Sequence, residues 1–477
     1  MSLQKQASAG VVWTFIQQFG QQIVNFGVSI VLARLLMPSE FGLIGMISVF
    51  IGIGNALVNG GLTQSLIRSK ELDQEDYSTV FFYNLGASII IYALIYVCSP
   101  LIADFYNQPI LIGIIRLYCL SFIISALTAV QQARLTKEMN FKIQTIIGLP
   151  SLVIGGVSGI ILAYLGYGVW SIVWSQLISG VAKTIQFWKY SGWSPSIVFS
   201  LDKFKSHFKF GYKITLSNLI AKIASNSYLI IIGRFFAASQ VGYYTRAETM
   251  KNLPVTNLSV ALNKVTYPLF SDIQNDNDRL KKVNQKLMKI VVYVIAPVLV
   301  FSAVLAIPIF RFLLTEKWLP AVPYFRILCV AGILSPIEMY NVNILMVKGR
   351  SDLMLKLTIM KNVLLAIGIL IGIQFGIYGL LYAQVALSLI SFLMNAHYTN
   401  KYINYTAIEQ LRDLVPIFLL VLITGFSIYF IDSYLSSQID IFRIIIGLGT
   451  GIGLYVILSH LFKFSSFTDL RKLVFKK

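Results

Sequence analysis

Five amide side chains recur along one face of the first apolar segment of the chain. At 3.6 residues per helical turn they form a single stripe, made of Gln17, Gln18, Gln21, Gln22 and Asn25. Amides within an apolar helix are unfavourable unless they contact water, a polar ligand or a neighbouring helix. The stripe therefore predicts either the wall of a polar cavity or interhelical hydrogen bonds in a packed bundle.

A second polar stripe lies in the apolar segment that begins near residue 211. Its members are Ser217, Asn218, Lys222, Ser225 and Asn226. A lysine near the middle of a membrane-spanning helix costs about 3 kcal/mol on insertion scales, so it needs a physical reason. Two interpretations fit Lys222. It contributes an anion-binding site in a water-filled cavity, or it forms a buried ion pair, for which Glu338 is a candidate partner.

Further polar residues in or beside apolar segments extend the candidate binding site. Arg34 and Arg234 lie at predicted helix ends, and Arg116 lies near the start of a predicted helix. For such cations, extension of the side chain to the membrane interface is an equally good explanation. The candidate substrate-binding residues are Gln18, Gln21, Gln22, Asn25, Arg34, Arg116, Asn218, Lys222, Asn226, Arg234, Asn257 and Lys264.

Glu338 is the only acidic residue deep in an apolar segment, and it lies beside Pro336. A buried carboxylate is a candidate for proton-linked coupling of transport. The competing interpretation is a charge partner that fixes the packing of two helices.

Several classes of chemistry are not expected from this sequence. The cysteines occur in apolar runs and the histidines are far apart, which predicts neither a disulfide framework nor a metal site. The sequence has no GxxxxGK[ST] phosphate-binding loop, so nucleotide hydrolysis and a bound cofactor are not expected. The predicted external loops are too short for a catalytic domain, and the protein is not expected to be an enzyme.

The elements that position these residues are membrane-spanning helices. The 477 residues are 56% hydrophobic and only 12% charged, with a mean hydropathy of +0.74. At about 20 residues per span, the apolar stretches predict an all-α polytopic membrane protein with about 14 transmembrane helices. The start, MSLQKQASAG, runs into an apolar stretch of spanning length without a cleavage signal, which predicts a retained first helix.

An internal repeat indicates two pseudo-symmetric halves. The segment IVLARLLMPSEFG (30–42) aligns with IIIGRFFAASQVG (230–242), which matches Arg34 with Arg234 and Gly42 with Gly242. Six predicted helices separate the copies, so both halves have the same orientation, and the two polar stripes are expected to face each other across a cavity between them. The predicted domains are an N-terminal six-helix lobe (1–190), a cytoplasmic interfacial linker (191–210), a C-terminal six-helix lobe (211–402), and a last helix pair with a basic tail (403–477).

The net charge of +19 sets the predicted orientation. Most lysines and arginines fall in alternate loops, which by the positive-inside rule places both termini in the cytoplasm. The basic and aromatic segment LDKFKSHFKF (201–210) is expected to lie on anionic lipids of the inner leaflet. Nucleic acid is not expected as a partner.

Several longer segments resemble polysaccharide flippases of the Wzx type, which belong to the multidrug, oligosaccharidyl-lipid and polysaccharide exporter superfamily. They are VLARLLMPSEFGLIG, the stretch from Gly233 to Asp276, KWLPAVPYFRILCVAG and VKGRSDL. The resemblance implies a multi-pass protein of the bacterial inner membrane, acting in lipopolysaccharide or exopolysaccharide synthesis. It implies that an undecaprenyl-pyrophosphate-linked oligosaccharide crosses to the periplasmic leaflet, with a polysaccharide polymerase and chain-length machinery as possible partners. It also implies that the last two helices line a groove for the lipid tail.

The candidate residues suit such a substrate. Amides can hydrogen-bond sugar hydroxyls, and Lys222 can meet the pyrophosphate. Three alternatives stay open: a multidrug antiporter of the same superfamily, which would favour acidic residues for cationic drugs; a membrane polymerase or ligase; and a structural scaffold. The identity of the sugar and of any coupling ion cannot be predicted.

Overall fold

The computed structural model describes the backbone of residues 3–59 and 61–474, and the side chains of residues 12–58, 61–256 and 266–471. In these ranges the chain forms α-helices joined by short connections and contains no β-strand. The predicted all-α class is therefore confirmed.

The helices follow one another along the chain with few residues between them. The first ten are α1 (Leu3–Leu35), α2 (Pro38–Asn59), α3 (Leu62–Arg68), α4 (Gln74–Tyr106), α5 (Leu111–Tyr118), α6 (Leu120–Lys137), α7 (Phe141–Tyr164), α8 (Val169–Tyr190), α9 (Leu201–Ser225) and α10 (Ser227–Phe235). The next nine are α11 (Ala238–Asp272), α12 (Asn277–Val304), α13 (Ala306–Leu314), α14 (Val322–Val347), α15 (Ser351–Gly372), α16 (Gly376–Ile403), α17 (Ala407–Tyr434), α18 (Asp440–Leu461) and α19 (Ser465–Val474). Short 3₁₀ turns lie at Glu316–Ala321 and Ile373–Phe375.

The helices have the length and apolarity of a multi-pass membrane protein. Among the described residues, nine helical segments are long and apolar enough to cross a membrane. α9 and α10 qualify together, as a pair bent by 46°. The more polar α1, α8 and α11 are not in this apolar set. The total of about 14 transmembrane helices therefore remains a prediction.

The chain divides into two compact units, residues 1–242 and 243–477. In the first unit α7 packs against α1 and α8, and α9 packs against α2, α3 and α4. In the second unit α14 packs against α12 and α16, and α17 packs against α12 and α18. α9 begins at Leu201, so residues 201–210 form its first turns, within the range predicted as a linker. The predicted domain boundaries remain a prediction.

Sequence signals at helix starts explain where two of these helices begin. The Asp73 carboxylate accepts a hydrogen bond from the backbone N–H of Asp76, and the Asp76 carboxylate accepts one from the N–H of Asp73. Thr406 and Glu409 form the same reciprocal arrangement at the start of α17. Such capping contacts each stabilise a helix by about 1 kcal/mol. They fix the ends of α4 and α17 at the polar edge of each apolar span.

Candidate functional site

A polar cavity of about 830 Å³ lies within the first unit. Four parts of that unit line it: the second half of α2, the segment from Gly61 through α3, the end of α6, and the second half of α9. The lining residues with polar side chains are Asn55, Thr63, Gln64, Gln132, Thr136, Asn218, Lys222 and Ser225. The volume falls within the range of sites for small molecules and ligand headgroups.

The lining combines one positive charge with many neutral hydrogen-bonding groups. Lys222 is the cation of the set, and no carboxylate is among the described residues that line the cavity. The Gln132 carboxamide accepts a hydrogen bond from Lys183 at 3.3 Å, and Thr136 accepts one from Gln144 at 3.1 Å. A wall of this composition can hydrogen-bond hydroxyl groups and can attract an anion.

The Lys222 side chain lies beside the backbone of α2. Its Cδ atom lies 3.6 Å from the position that a Cβ on Gly52 of α2 would take. Within the first unit, no carboxylate of the described residues lies within ion-pair distance of its ammonium group. Glu338, the partner considered for Lys222, pairs with Lys361 in the second unit. The cavity geometry therefore agrees with the anion-site interpretation, and a role for Lys222 in binding remains a proposal.

Asn226 lies where α9 ends and α10 begins. Its amide donates to the carbonyl oxygen of Lys222 at 2.7 Å and to the hydroxyl of Ser225 at 3.2 Å. The backbone N–H of Asn226 also contacts the Lys222 carbonyl oxygen, so this residue caps the end of α9 where the 46° bend begins. Asn226 therefore lies at the bend, directly beside the residues that line the cavity.

The amides of α1 occupy a different place. Gln18, Gln21, Gln22 and Asn25 are not among the described residues that line this cavity. Gln21 lies against α7, with its Nε2 atom 3.2 Å from the position of a Cβ on Gly148. α1 packs mainly on α7. The structure thus brings Asn218 and Lys222 together at the cavity but does not place the α1 stripe with them.

The three arginines of the candidate set lie at helix ends or against neighbouring helices. The Arg116 guanidinium donates to Ser99 Oγ at 3.0 Å and lies 4.2 Å from the ring centre of Tyr96. Arg234 donates to the carbonyl oxygen of Phe105 at 2.6 Å, at the last turn of α4. Arg34 lies in the last turn of α1 and is exposed. The contacts of Arg116 and Arg234 tie helices of the first unit together, which is a packing role.

Two further candidates, Asn257 and Lys264, lie outside the residues whose side chains are described. Glu338 lies on α14, where its Oε2 atom is 3.2 Å from Lys361 Nζ of α15. This ion pair is the geometry that the charge-partner interpretation requires. A coupling role for Glu338 remains a prediction.

The basic and aromatic segment 201–210 is built into the first unit rather than left as a free surface. Lys203 pairs with Asp73 at 3.0 Å and Asp76 at 2.9 Å. The rings of Phe204 and Phe208 lie 5.3 Å apart in a tilted arrangement, and the ring of Phe204 also lies 5.1 Å from that of Tyr83. Lys205 and Lys209 are exposed, and their contact with anionic lipid remains a prediction.

Comparison with known proteins assigns the chain to a family. The model of a family described as polysaccharide biosynthesis proteins matches residues 31–323, which is more than half of the chain. The chain belongs to this family. The predicted resemblance to polysaccharide-exporting membrane proteins is thereby confirmed, and the matched range includes α2, α3, α6 and α9, which line the cavity.

Two proteins named for polysaccharide biosynthesis resemble this family member over most of its length. It is 26% identical over 354 residues to the teichuronic acid biosynthesis protein TuaB of Bacillus subtilis, covering 74% of this chain and 73% of that protein. It is 25% identical over 380 residues to the lipopolysaccharide biosynthesis protein WzxC of Escherichia coli, covering 78% of this chain and 76% of that protein.

Two solved structures share the fold. The lipid II flippase MurJ, in an inward closed conformation, superposes with a TM-score of 0.74 at 17% identity, covering 96% of this chain and 99% of the other. An inward-facing multidrug transporter of the MATE family superposes with a TM-score of 0.60 at 20% identity, covering 81% of this chain and 96% of the other. At these identities the likeness concerns the fold alone.

Several lining residues of this family member were missed by sequence reasoning. Thr63 and Gln64 follow a glycine in a short helix that looked like a loop between two spans. Gln132 and Thr136 lie four residues apart near the end of α6, and the sequence analysis did not select them. Polar residues that recur every three or four positions at a span end are the signal that could have found them.

Proposed function

We propose that this protein is a flippase that moves an undecaprenyl-pyrophosphate-linked oligosaccharide from the cytoplasmic to the periplasmic leaflet of the bacterial inner membrane. The observation that carries the proposal is the 830 Å³ cavity inside a membrane-spanning unit, lined by amides, hydroxyls and Lys222. The names of TuaB and WzxC, which refer to teichuronic acid and lipopolysaccharide biosynthesis, support a glycan as the cargo.

The cavity provides hydrogen-bonding groups and a positive charge, which can replace the water contacts that such a headgroup loses when it leaves water. Sugar hydroxyls and a pyrophosphate cannot enter hydrocarbon without new hydrogen bonds and a counter-charge. Asn55, Gln64, Gln132 and Asn218 provide donors and acceptors for hydroxyl groups, and Lys222 provides a positive charge. The isoprenoid chain can remain in the lipid, so only the polar part of the substrate needs the protein.

Transport then requires that the cavity open alternately to the two sides of the membrane. With the termini in the cytoplasm, the inside-negative potential favours outward movement of an anion. For about two negative charges this amounts to about 4–5 kcal/mol per 100 mV. The protein thus supplies a polar path and does not need to change a covalent bond. A polysaccharide polymerase and chain-length machinery remain proposed partners that would use the product.

A multidrug antiporter is the competing function, and the lining opposes it. Cationic drugs are attracted by carboxylates, whereas the described lining carries an ammonium group and no carboxylate. Positive charge facing a positive drug would raise the free energy of the bound state.

The test is translocation in proteoliposomes made with the full-length protein. A radiolabelled or fluorescent undecaprenyl-pyrophosphate oligosaccharide and a fluorescent cationic dye are assayed side by side, with protein-free liposomes as the control for leak. The proposal expects the lipid-linked sugar to reach the opposite leaflet and the dye to stay in place. Export of the dye without movement of the sugar would replace the flippase proposal with the antiporter.

A further inference from the structure

Gln132 is a cavity-lining amide whose orientation is set by a neighbouring charge. Its Oε1 atom accepts a hydrogen bond from the Lys183 ammonium of α8 at 3.3 Å. An ammonium group has three donors and no acceptor, so it can face the oxygen of a carboxamide but not the nitrogen. The contact therefore fixes which end of the Gln132 amide is turned towards Lys183. The Nε2 group, with its two N–H donors, lies at the other end.

The Nε2 group of Gln132 is available to a ligand. Gln132 is an exposed residue, and it is one of the residues that line the cavity. Within the described part of the chain, its side chain has the Lys183 bond to Oε1 and no acceptor for Nε2. A phosphate or hydroxyl oxygen that enters the cavity can therefore accept from Nε2 without breaking an existing bond of that group.

Lys183 is held beside Gln132 by the packing of α8 on α6. The indole Nε1 of Trp188 donates to the carbonyl oxygen of Leu127 at 3.1 Å, which joins the two helices close to this contact. The Lys183 ammonium also lies 5.6 Å from the ring centre of Phe187. No carboxylate of the described residues forms an ion pair with Lys183. Its positive charge is therefore directed at the Gln132 amide and not neutralised by a nearby acid.

Thr136, one turn further along α6, uses its hydroxyl proton inside the cavity wall. Its Oγ1 donates to the backbone carbonyl oxygen of Gln132 at 2.8 Å and accepts from Nε2 of Gln144 at 3.1 Å. The single proton of this hydroxyl is thus already used. Of the polar side chains that α6 contributes to the cavity, Gln132 is the one with donors left for a ligand.

The groups of the lining with a fixed polarity are donors. The Lys222 ammonium has no acceptor, and Lys183 orients the Gln132 amide with its nitrogen away from the contact. The amides of Gln64 and Asn218 can turn either end to a ligand. A ligand that has only acceptors and carries negative charge satisfies all of these groups, and a phosphate is such a ligand.

We propose that Lys222 and Gln132 form a phosphate subsite of the cavity, and that Lys183 is the positioning residue that turns the Gln132 N–H donors towards the phosphate oxygens. Without Lys183 the amide can rotate and present its oxygen, which repels an anion. The identity of this phosphate as the pyrophosphate of a lipid-linked oligosaccharide rests on the proposed function. The headgroup of a membrane phospholipid has the same chemistry.

The test measures binding of inorganic pyrophosphate to the full-length protein in phosphatidylcholine nanodiscs by isothermal titration calorimetry. Lys183→Met should weaken binding about tenfold, which corresponds to the loss of one hydrogen bond to a charged ligand. Lys183→Arg keeps a group that only donates and should restore the affinity to within about twofold. The matched control Lys189→Met removes the same charge from an exposed position of α8, beside Tyr190, and should bind as the unaltered protein does.

A double-mutant cycle decides whether Lys183 acts through Gln132. Gln132→Leu should weaken binding about as much as Lys183→Met, and the double variant should be no weaker than Gln132→Leu, because Lys183 then has no amide to orient. Losses that multiply would overturn the positioning role, since Lys183 would then act by its charge alone. If Lys183→Met does not fold, Lys183→Gln takes its place in the cycle, because it is uncharged and can face the Gln132 amide with either end.

The affinity for pyrophosphate also decides whether the subsite exists. A folded Gln132→Leu protein that binds pyrophosphate like the unaltered protein would overturn the subsite, as would an unaltered protein that does not bind pyrophosphate. The same titration in nanodiscs containing phosphatidylglycerol distinguishes the two sources of phosphate. An unchanged affinity supports a pyrophosphate ligand, whereas competition by the lipid would overturn that identity and assign the subsite to a phospholipid headgroup.

Failure of this inference and failure of the proposed function are distinguishable. Pyrophosphate binding with the expected pattern of variants, in a protein that moves no lipid-linked oligosaccharide, would leave the subsite standing and remove the flippase. Translocation by a protein whose Gln132 and Lys183 variants bind pyrophosphate normally would do the opposite.

Discussion

Gly42 and Ala238 are in backbone contact, since a Cβ on Gly42 would lie 1.7 Å from the carbonyl oxygen of Ala238. The equivalent residues of the internal repeat, Gly242 and Pro38, make the same contact, with 2.0 Å from an added Cβ to the Pro38 carbonyl oxygen. Such reciprocity is what a two-fold relation between the repeat copies produces. It explains why both copies of the repeated segment end in glycine.

Gly42→Ala is therefore expected to destabilise the protein. Because the neighbour is backbone rather than a flexible side chain, the helices must separate, which costs about 1–3 kcal/mol. Gly27→Ala is the matched control, since nothing lies within 4 Å of its added Cβ. Thermal unfolding of the purified protein in detergent should show a lower Tm for Gly42→Ala and Gly242→Ala but not for Gly27→Ala. An unchanged Tm in all three would contradict the close contact.

Arg234→Ala is expected to affect stability and leave the transport chemistry intact. The guanidinium donates to the Phe105 carbonyl at the end of α4 and is not among the described residues that line the cavity. Loss of this charge-assisted bond should cost about 1–2 kcal/mol and lower the Tm. Translocation per folded molecule should match that of the unaltered protein. A fall in the translocation rate per folded molecule at an unchanged Tm would instead indicate that Arg234 belongs to the substrate-binding site.

The pair Glu338–Lys361 distinguishes a packing role from a coupling role. The Glu338 and Lys361 side chains are largely buried, with 20% and 24% of each exposed. Removing one partner therefore leaves an unpaired buried charge, which destabilises the folded protein. If the pair only fixes α14 against α15, Glu338→Gln should lower stability, and Glu338→Lys combined with Lys361→Glu should restore much of it. Tm values of the single and double variants measure this. A double variant that folds but has lost a proton-dependence of translocation shown by the unaltered protein would favour coupling by Glu338.

The membrane potential should change the rate of translocation. An anionic headgroup moving outward gains free energy when the starting side is negative. In proteoliposomes, a potassium gradient with valinomycin imposes a potential of either sign. The rate should rise when the side holding the substrate is negative and fall when it is positive. Equal rates at both signs would show that the charge crossing the membrane is compensated by another ion.

Hydropathy was sufficient to predict the all-α fold class, because a long apolar segment in a membrane has few alternatives to a helix. Polar residues within an apolar segment also indicated Asn218 and Lys222, which do line the cavity. The sequence did not show which face of α1 packs on α7, because a stripe of amides has the same pattern whether it contacts water or another helix. The sequence did not predict the buried contacts of His207 for a related reason. Its partners Ser65 and Asp76 are distant in the sequence, and only the folded chain brings them together.

The most direct test of the central claim compares translocation by the unaltered protein with Lys222→Gln and Lys222→Arg. Lys222 supplies the positive charge of the described cavity lining, so Lys222→Gln should lower the rate by at least about tenfold, the equivalent of about 1.4 kcal/mol of lost anion stabilisation. Lys222→Arg keeps the charge and should retain most of the rate. Circular dichroism and Tm confirm that all three proteins are folded. A folded Lys222→Gln protein that moves the lipid-linked oligosaccharide at the unaltered rate would contradict the account.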